Sequence, residues 1–480
     1  VFMGEGHHLA INWQLAYQTR TINNDYKLFT NNVNNPITPR DFKGKAFAPV
    51  IPSFQYAYNK GKWSFQANFS LTGGGGKCTF DDGLGSFEKI VSETAIAACG
   101  LAGVVDQTLG NKLGQQGMEM FTSDQAFGKT GKYSFNSYMH GRQYYYGLSA
   151  GAAYKFCDNF SAFLGVRGVY ALTNYYGYVE NINVGNMPLY KVLDPTKENA
   201  ANIELSCDQT GVGFTPIIGV DYKTGRWNFS AKYEFKTRIR LKNKSVNQTP
   251  SIGNLPANLA NQMTGILTAR YQQAGLPLEQ AKQQAENTTN AVLNDPTVGA
   301  TMIGLKTQFD QKLNKAIGEY EDGKKIAGDI PGYLALGIGY SPVDAVRVNV
   351  GFHWFDDKNA TSYNNRNKEL KRGTLEYNAG VEVDVNKKIT LSTGWQNTNY
   401  GLSDEYMDDK SFVVGSNSAA IGGVYHINKK MDLNVAYFHT FYQHKKTSET
   451  VQLAADKSIV YNSDYTRNNN VFAVGLDINF

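Results

Sequence analysis

Apolar and polar residues alternate with a period of two along many stretches of this chain. In the last ten residues, VFAVGLDINF, every second residue from Phe472 to Phe480 is apolar, and the residues between them are mostly small or polar. Successive side chains of a β-strand point to opposite faces, so the alternation predicts strands with one apolar face. Fourteen such segments occur, at 7–21, 48–59, 62–72, 143–156, 159–175, 210–223, 226–241, 331–341, 345–356, 373–386, 388–400, 411–427, 431–446 and 470–480.

The connections between these predicted strands alternate between short and long. Tight turns lie at 59–62, 157–159, 223–226, 342–345, 386–388 and 428–431, whereas the other connections run to about 10 to 90 residues. Short turns at one end and long loops at the other are typical of bacterial outer-membrane barrels. A soluble protein of several β-sandwich domains is the alternative, but it would not explain the alternating loop lengths.

The pattern therefore predicts an all-β membrane protein, with residues 1–480 forming one 14-stranded antiparallel transmembrane β-barrel. The last strand is expected to close the barrel against 7–21, where Leu9, Ile11 and Trp13 belong to the matching lipid face. In the bacterial outer membrane the long loops would be extracellular, and both termini would be periplasmic.

Composition agrees with this class. Lys and Arg number 47 against 42 Asp and Glu, a net charge of +5, which does not favour nucleic-acid binding. The longest uncharged apolar stretch, 95–105, is too short for a membrane-spanning helix, so none is expected. Aromatic residues make up 13% of the chain, which suits rings placed at a membrane boundary.

Two long loops, predicted at 73–142 and 242–330, contain helical patterns. Apolar residues recur with helical spacing at 87–109 and again within 257–293. In the second range a further helix is expected to follow Pro277. The second pattern has an apolar stripe with spacing i, i+4, i+7 and i+8, formed by Leu259, Met263, Ile266 and Leu267. These helices either cap the barrel or form an apolar groove outside the cell, and the two interpretations are compatible.

The stretch at 50–88 resembles a known family. It carries a P-x-x-P-x-F strand, an N-K-x-K-W turn and a glycine run before D-D-G-L-x-S-F-E. These motifs resemble the FadL/TodX family of outer-membrane transporters for hydrophobic compounds. The resemblance covers the whole chain in strand count and loop layout, but its specific motifs lie mainly in the first quarter.

The resemblance implies a monomeric barrel that binds long-chain fatty acids or other hydrophobic small molecules in an extracellular groove. It also implies sideways release through an opening in the wall beside a kinked third strand. The glycine run would supply that lateral gate, although a flexible exit from the strand is the competing interpretation; the run consists of Gly73, Gly74, Gly75 and Gly76. Further partners would be outer-membrane lipid and lipopolysaccharide, together with the insertion machinery that reads a terminal aromatic such as Phe480.

One departure from the family concerns the start of the chain. Family members carry an N-terminal plug of about forty residues, and this sequence begins where the plug would end, so a truncated chain is expected. The family's carboxylate ligands do not transfer either, because the position after the fifth strand reads YYGY at 175–178.

Candidate ligand residues follow from the groove and from strand parity. Leu189 and Leu193 are predicted to line the groove together with four residues of the apolar stripe, which are Leu259, Met263, Ile266 and Leu267. Cations predicted to face the lumen could bind a carboxylate; they are Arg167, Lys232, Arg238 and Arg347. The alternative is that these cations pair with lumen acids such as Glu234, Glu376 and Glu382.

No enzyme activity, cofactor or metal site is expected. His353 with Asp356 and Asp357 is the nearest catalytic arrangement, but no serine partner is evident. Cys78 and Cys99 are candidates for a disulfide, whereas Cys157 should be free. A general porin for polar solutes and a surface receptor or adhesin remain the alternative functions.

Overall fold

The computed structural model describes residues 4–250, 253, 255–454 and 457–480. Within these residues, fourteen wall strands form one antiparallel sheet that closes on itself, because the first strand pairs with both the second and the last. The predicted 14-stranded barrel is confirmed. The strands are β1 (Gly6–Tyr26), β2 (Arg40–Lys60), β3 (Trp63–Phe80), β4 (Tyr133–Cys157), β5 (Phe160–Val184), β6 (Ile203–Thr224), β7 (Trp227–Glu234 and Arg240–Gln248), β8 (Lys325–Ala327 and Tyr333–Val343), β9 (Val346–Phe355), β10 (Arg372–Asn386), β11 (Ile389–Gly401), β12 (Ser416–Asn428), β13 (Met431–Tyr442 and Lys445–Ala454) and β14 (Lys457–Asn479).

The outer face of the barrel is apolar. Large apolar side chains such as Leu164 and Phe214 are exposed there by 68% and 72%. A soluble protein rarely exposes a continuous apolar surface of this kind. Near the tight turns, the ring of Trp227 lies 4.2 Å from that of Tyr340, and Trp63 lies 4.8 Å from Tyr154. Such rings beside an apolar belt are typical of the membrane boundary of a transmembrane barrel.

The wall strands are longer than a membrane requires. β4 and β5 have 25 residues each, whereas a tilted transmembrane strand needs about 9–11. The wall therefore continues beyond the apolar belt at the long-loop end. The predicted loop boundaries of 73–142 and 242–330 are accordingly too wide, since the strands leave only 81–132 and 249–324 between them.

β7 is interrupted, and the interruption changes which residues face inward. Residues 235–239 form no regular strand, and Ile239 at the end of this stretch and Leu241 just beyond it are buried on the inner side against Val169 and Ala171 of β5. In the first half of β7 the odd-numbered Trp227 is exposed on the outer face instead. The continuous alternation predicted over 226–241 is wrong at this point, because the break reverses it.

Five helices lie in the described part of the long loops. They are α1 (Gly85–Leu113), α2 (Tyr190–Leu193), α3 (Leu255–Gln273), α4 (Leu278–Leu293) and α5 (Pro296–Ile317). The helices predicted at 87–109, at 257 and after Pro277 are confirmed. α5 was not predicted, although Asp295 caps it by accepting a hydrogen bond from the Thr297 backbone N–H, and Pro296 occupies its first turn.

α1 is long and apolar enough, by length and composition, to cross a membrane, which the sequence did not predict. It packs against α4, α5 and the ends of β4, β5 and β13. Its buried side chains join those of α3, α4, α5 and the loop after β5 in one apolar cluster above the barrel. α1 is thus a core helix of the layer that covers the long-loop end.

Candidate ligand path and wall opening

A small apolar cavity lies in the helical layer. It has a volume of about 60 Å³ and is enclosed by α1, the start of α3, α5 and the loop after β5. Its lining is almost wholly apolar and includes Ala98, Leu101, Leu189, Leu193, Leu259 and Phe309. An apolar cavity of about 150 Å³ binds benzene in another protein, so a ring-sized ligand would need the helices to move apart here.

The predicted groove residues fall into three positions. Leu189, Leu193 and Leu259 line the cavity. Met263 and Leu267 are fully buried in the same apolar cluster but lie outside the lining. Ile266 is 45% exposed and does not contact the cavity, because residues four apart, 259, 263 and 267, share the buried side of α3.

The start of α1 is held to the barrel rim by buried charges. Glu88 is fully buried, pairs with Arg40 of β2, and accepts hydrogen bonds from Asn32 Nδ2 (3.0 Å) and the Tyr133 hydroxyl (2.9 Å). One turn further, Glu93 pairs with Lys312 of α5 at 2.6 Å. These contacts fix the helix that forms one wall of the cavity.

The first turn of α1 is also tied to the loop between β11 and β12. The Ser86 backbone N–H donates to Asp409 Oδ2 at 2.8 Å. Burial, together with the neighbouring Asp408 carboxylate, raises the pKa of Asp409 to about 6. A folded pKa above its ordinary value of about 4 means that the buried carboxyl stabilises this docked arrangement most at low pH, where it is protonated, and that this stabilisation is lost as pH rises through about 6, because the ionised group is then buried beside Asp408.

Asp409→Asn is expected to remove this pH dependence, since the amide resembles the protonated acid. The wild type should show roughly tenfold less amide protection at the start of α1 at pH 7 than at pH 5, after correction for intrinsic exchange rates. Hydrogen exchange read by mass spectrometry measures this. Asp404→Asn, which alters an exposed acid of the same loop, should keep the wild-type difference. Equal protection at both pH values in the wild type would contradict the assignment.

The backbone hydrogen-bond ladder of the barrel wall is interrupted between β2 and β3. The two strands pair from Lys60 and Trp63 up to Phe54 and Phe69, and pairing resumes only at Phe47 and Lys77. Residues 48–53 and 70–76, all described by the structure, therefore form no ladder with each other. This wall gap extends over six residues of β2, or about 20 Å along the strand.

Prolines on one side of the wall gap and glycines on the other disfavour a regular ladder there. Pro49 and Pro52 lie on its β2 side and have no N–H to donate. The carbonyl of Pro49 accepts a hydrogen bond from Trp13 Nε1 at 2.9 Å, so the β2 side of the wall gap is bonded to β1 at this point. The predicted gate glycines, Gly73 to Gly76, form the β3 side.

β3 bends along the wall gap through two bulges against β4. They lie between Leu71 and Gly73 and between Gly74 and Gly76. Gly74 has φ +75°, a backbone conformation that disfavours a side chain, and a Cβ there would lie 2.2 Å from the Gln143 carbonyl oxygen. The irregular backbone expected of the glycine run is therefore present.

Three of the four predicted lumen cations are neutralised by acids. Arg167 Nη1 lies 2.6 Å from Glu234 Oε2, and Lys232 lies 3.0 Å from the other oxygen of the same carboxylate. Arg347 bonds both Glu382 (2.9 Å) and Asp384 (2.6 Å). The alternative considered from the sequence, pairing with lumen acids, describes these cations.

Arg238 lies elsewhere. It sits in the interruption of β7, where its exposed side chain alternates with the fully buried Thr237 and Ile239. The expected lumen-facing parity of Arg238 is lost at the break.

Two lumen arginines were missed. Arg20 of β1 and Arg467 of β14 face each other across the closing seam of the barrel. The alternation of 7–21 assigns Arg20 to the lumen side, which was a usable signal. Arg467 was assigned to a loop, because the segment before 470 lacks an apolar outer face.

The candidate catalytic residues are hydrogen-bonded to other side chains or backbone, and the candidate disulfide cysteines lie apart. His353 Nδ1 lies 2.7 Å from Glu376 Oε1, and Asp357 accepts a hydrogen bond from the Thr374 backbone N–H. Cys78 and Cys99 are both free thiols and belong to different apolar clusters, so the disulfide considered from sequence is not formed.

Comparison with known proteins gives a fold match at low sequence identity. No protein-family model and no curated protein matches the sequence. Among solved structures, a Pseudomonas aeruginosa FadL homologue is 13% identical with a TM-score of 0.56, covering 99% of this chain and 90% of that one. The P. putida toluene transporter TodX is 11% identical with a TM-score of 0.51, covering 100% and 91%. The chain therefore has the FadL/TodX-type barrel fold, and the resemblance read from its sequence is confirmed at the level of fold.

Proposed function

We propose that this protein transports hydrophobic small molecules across the bacterial outer membrane, with its long loops outside the cell and its tight turns in the periplasm. Cargo would enter through the apolar cavity of the helical layer and leave sideways through the wall gap between β2 and β3. The fold that it shares with a toluene transporter supports this class of cargo. Long-chain fatty acids are the cargo that we favour, for the reason developed in the next subsection.

The wall gap is the observation that carries the proposal. In a lipid environment every backbone polar group needs a partner, so a closed barrel normally has a complete ladder. A six-residue interruption bordered by the exposed apolar side chains of Phe47 and Val50 is instead suited to passing apolar molecules sideways into the membrane.

A channel for polar solutes is the second candidate. The half of the lumen near the tight turns holds a cavity of about 1100 Å³ with many polar side chains, including Gln55, Ser149 and Asn378. Conductance in a planar bilayer separates the two functions. Steady ionic current through the full-length protein would favour the channel, and a silent protein that takes up apolar probes would favour the transporter.

Filling the outer cavity is expected to reduce cargo binding. Ala98 lines the cavity from α1, and the three extra carbons of Ala98→Leu would occupy most of its volume. Apolar compounds co-purifying with the detergent-solubilised protein, quantified by mass spectrometry, should fall several-fold. Ala300→Leu, on an exposed position of α5, is the matched control and should retain them. Compounds retained equally by Ala98→Leu would argue against this entry site.

A further inference from the structure

Arg20 and Arg467 place two like charges directly opposite each other on the inner side of the barrel. They pair in the β1–β14 register, and Ile22 and Tyr465, two residues along each strand on the same face, are buried. Like charges in this position destabilise a sheet. Arginine stays protonated, so the repulsion cannot be relieved by loss of a proton.

Neither arginine has an acidic partner among the described residues. Arg20 Nε and Arg467 Nη2 both donate to the same neutral oxygen, Gln18 Oε1, at 3.0 and 2.7 Å. Arg467 also donates to the Phe412 carbonyl oxygen at 3.3 Å, and its guanidinium lies over the ring of Tyr442. Its Nε is buried without any hydrogen-bond partner. The pair thus has positive charge and N–H donors in excess of what surrounds it.

The other inward-facing arginines do not share this state. Arg167 and Arg347 each bond a carboxylate at 2.6 Å. Arg167 and Arg347 thus have a counter-charge, which Arg20 and Arg467 lack among the residues that the structure describes.

The surroundings of the pair are apolar. Ile22, Phe80, Leu84, Phe412 and Val414 form a buried cluster there with Tyr465, and Tyr442 packs against it. Two guanidiniums at the edge of an apolar cluster are the chemical complement of an anion that carries an apolar tail.

The pair also lies between the two ends of the proposed path. Phe80 and Leu84 of the cluster lead directly into α1, which lines the outer cavity. Arg20 pairs with Gly44 on β2, and the wall gap begins at Ala48, about 13 Å further along that strand.

We propose that Arg20 and Arg467 together bind the oxyanion head group of an amphipathic cargo, such as an alkyl carboxylate, between the outer cavity and the wall gap. This inference rests on the proposed transport function and specifies its substrate class. The head group would supply the missing counter-charge, and the apolar cluster would hold the first part of the tail.

Two probes with the same chain and different heads test the proposal. Binding of dodecanoate and of dodecanol to the full-length protein in a neutral detergent is measured by titration calorimetry. The variants are Arg20→Gln, Arg467→Gln and the double change. Arg226→Gln, at a tight turn on the opposite end of the barrel, is the matched control.

Each single variant is expected to weaken dodecanoate binding about tenfold, and the double variant more, while dodecanol binding stays unchanged. The variants should fold, because each removes a like-charge repulsion. Dodecanoate should also raise the melting temperature of the wild type and of Arg226→Gln, but not that of the double variant.

Two results would overturn the head-group site while leaving transport intact. One is dodecanoate affinity unchanged in the double variant; the other is an equal loss for both probes, which would point to altered packing. If the wild type bound neither probe, the proposed transport function itself would fail, and the head-group site with it.

Discussion

Replacing Glu88 with alanine is expected to release the start of α1 from the barrel rim. The carboxylate is fully buried and pairs with Arg40, whose side chain is only 11% exposed. Its removal would leave the arginine buried without a counter-charge and would remove the acceptor for Asn32 and Tyr133. Breaking a buried ion pair on one side costs about 3–5 kcal/mol.

Hydrogen exchange of residues 85–113 measures the release. In Glu88→Ala the protection of this helix should fall by two orders of magnitude or more, corresponding to about 3 kcal/mol, while β11 and β12 remain protected. Glu119→Ala removes an exposed acid that pairs with the exposed Lys129, and it should leave protection unchanged. Wild-type protection of α1 in Glu88→Ala would mean that apolar packing alone holds the helix.

Gly74→Ala is expected to destabilise the wall beside the gap, whereas Gly73→Ala is not. A methyl group at Gly74 would meet the backbone of Gln143 at 2.2 Å, and the residue has a φ of +75°. At Gly73 the nearest atoms belong to the Tyr145 ring at 3.5 Å, an ordinary contact. The strain at Gly74→Ala costs on the order of 3 kcal/mol of folding free energy, because β3 or β4 must shift to accommodate the methyl group.

Urea unfolding in lipid vesicles, followed by tryptophan fluorescence, compares the two variants. Gly74→Ala should unfold at a lower midpoint urea concentration than the wild type. Since the bulge shapes the β3 side of the wall gap, this variant should also take up cargo more slowly. Gly73→Ala should match the wild type in both measurements. If Gly74→Ala were as stable as Gly73→Ala, the bulge would not be a constraint on this wall.

The barrel could be predicted because lipid and lumen impose opposite demands on neighbouring residues. Where a strand crosses the apolar belt, as β14 does from Phe472 to Ile478, the alternation is regular and the strand is evident. Beyond the belt both faces of the wall tolerate polar residues, so the segment 457–469 of the same strand carries no such pattern. Arg467 was missed for this reason.

The helical layer was predictable only in part. The buried stripe of α3 contains Leu259, Met263 and Leu267 as expected, but spacing alone could not separate residues that line a cavity from residues that fill a core. The break in β7 was equally hidden, because the period-two pattern continues through Phe235 and Ile239 while the backbone reverses the faces. Such reversals depend on contacts with β5 and β8, which are distant in the sequence.

The wall gap has a consequence for the direction of transport. The ladders on its two sides differ in register by one residue, because six residues of β2 lie opposite seven of β3, and two prolines stand on the shorter side. Pairing these edges would require one strand to shift by a residue against the other, so the interruption of the ladder is built into the register of the wall. Under the proposed function, sideways exit at this stretch would therefore need no change of strand pairing that an energy source would have to drive. Under the proposed function, cargo would cross in both directions, and net import would depend on its consumption inside the cell.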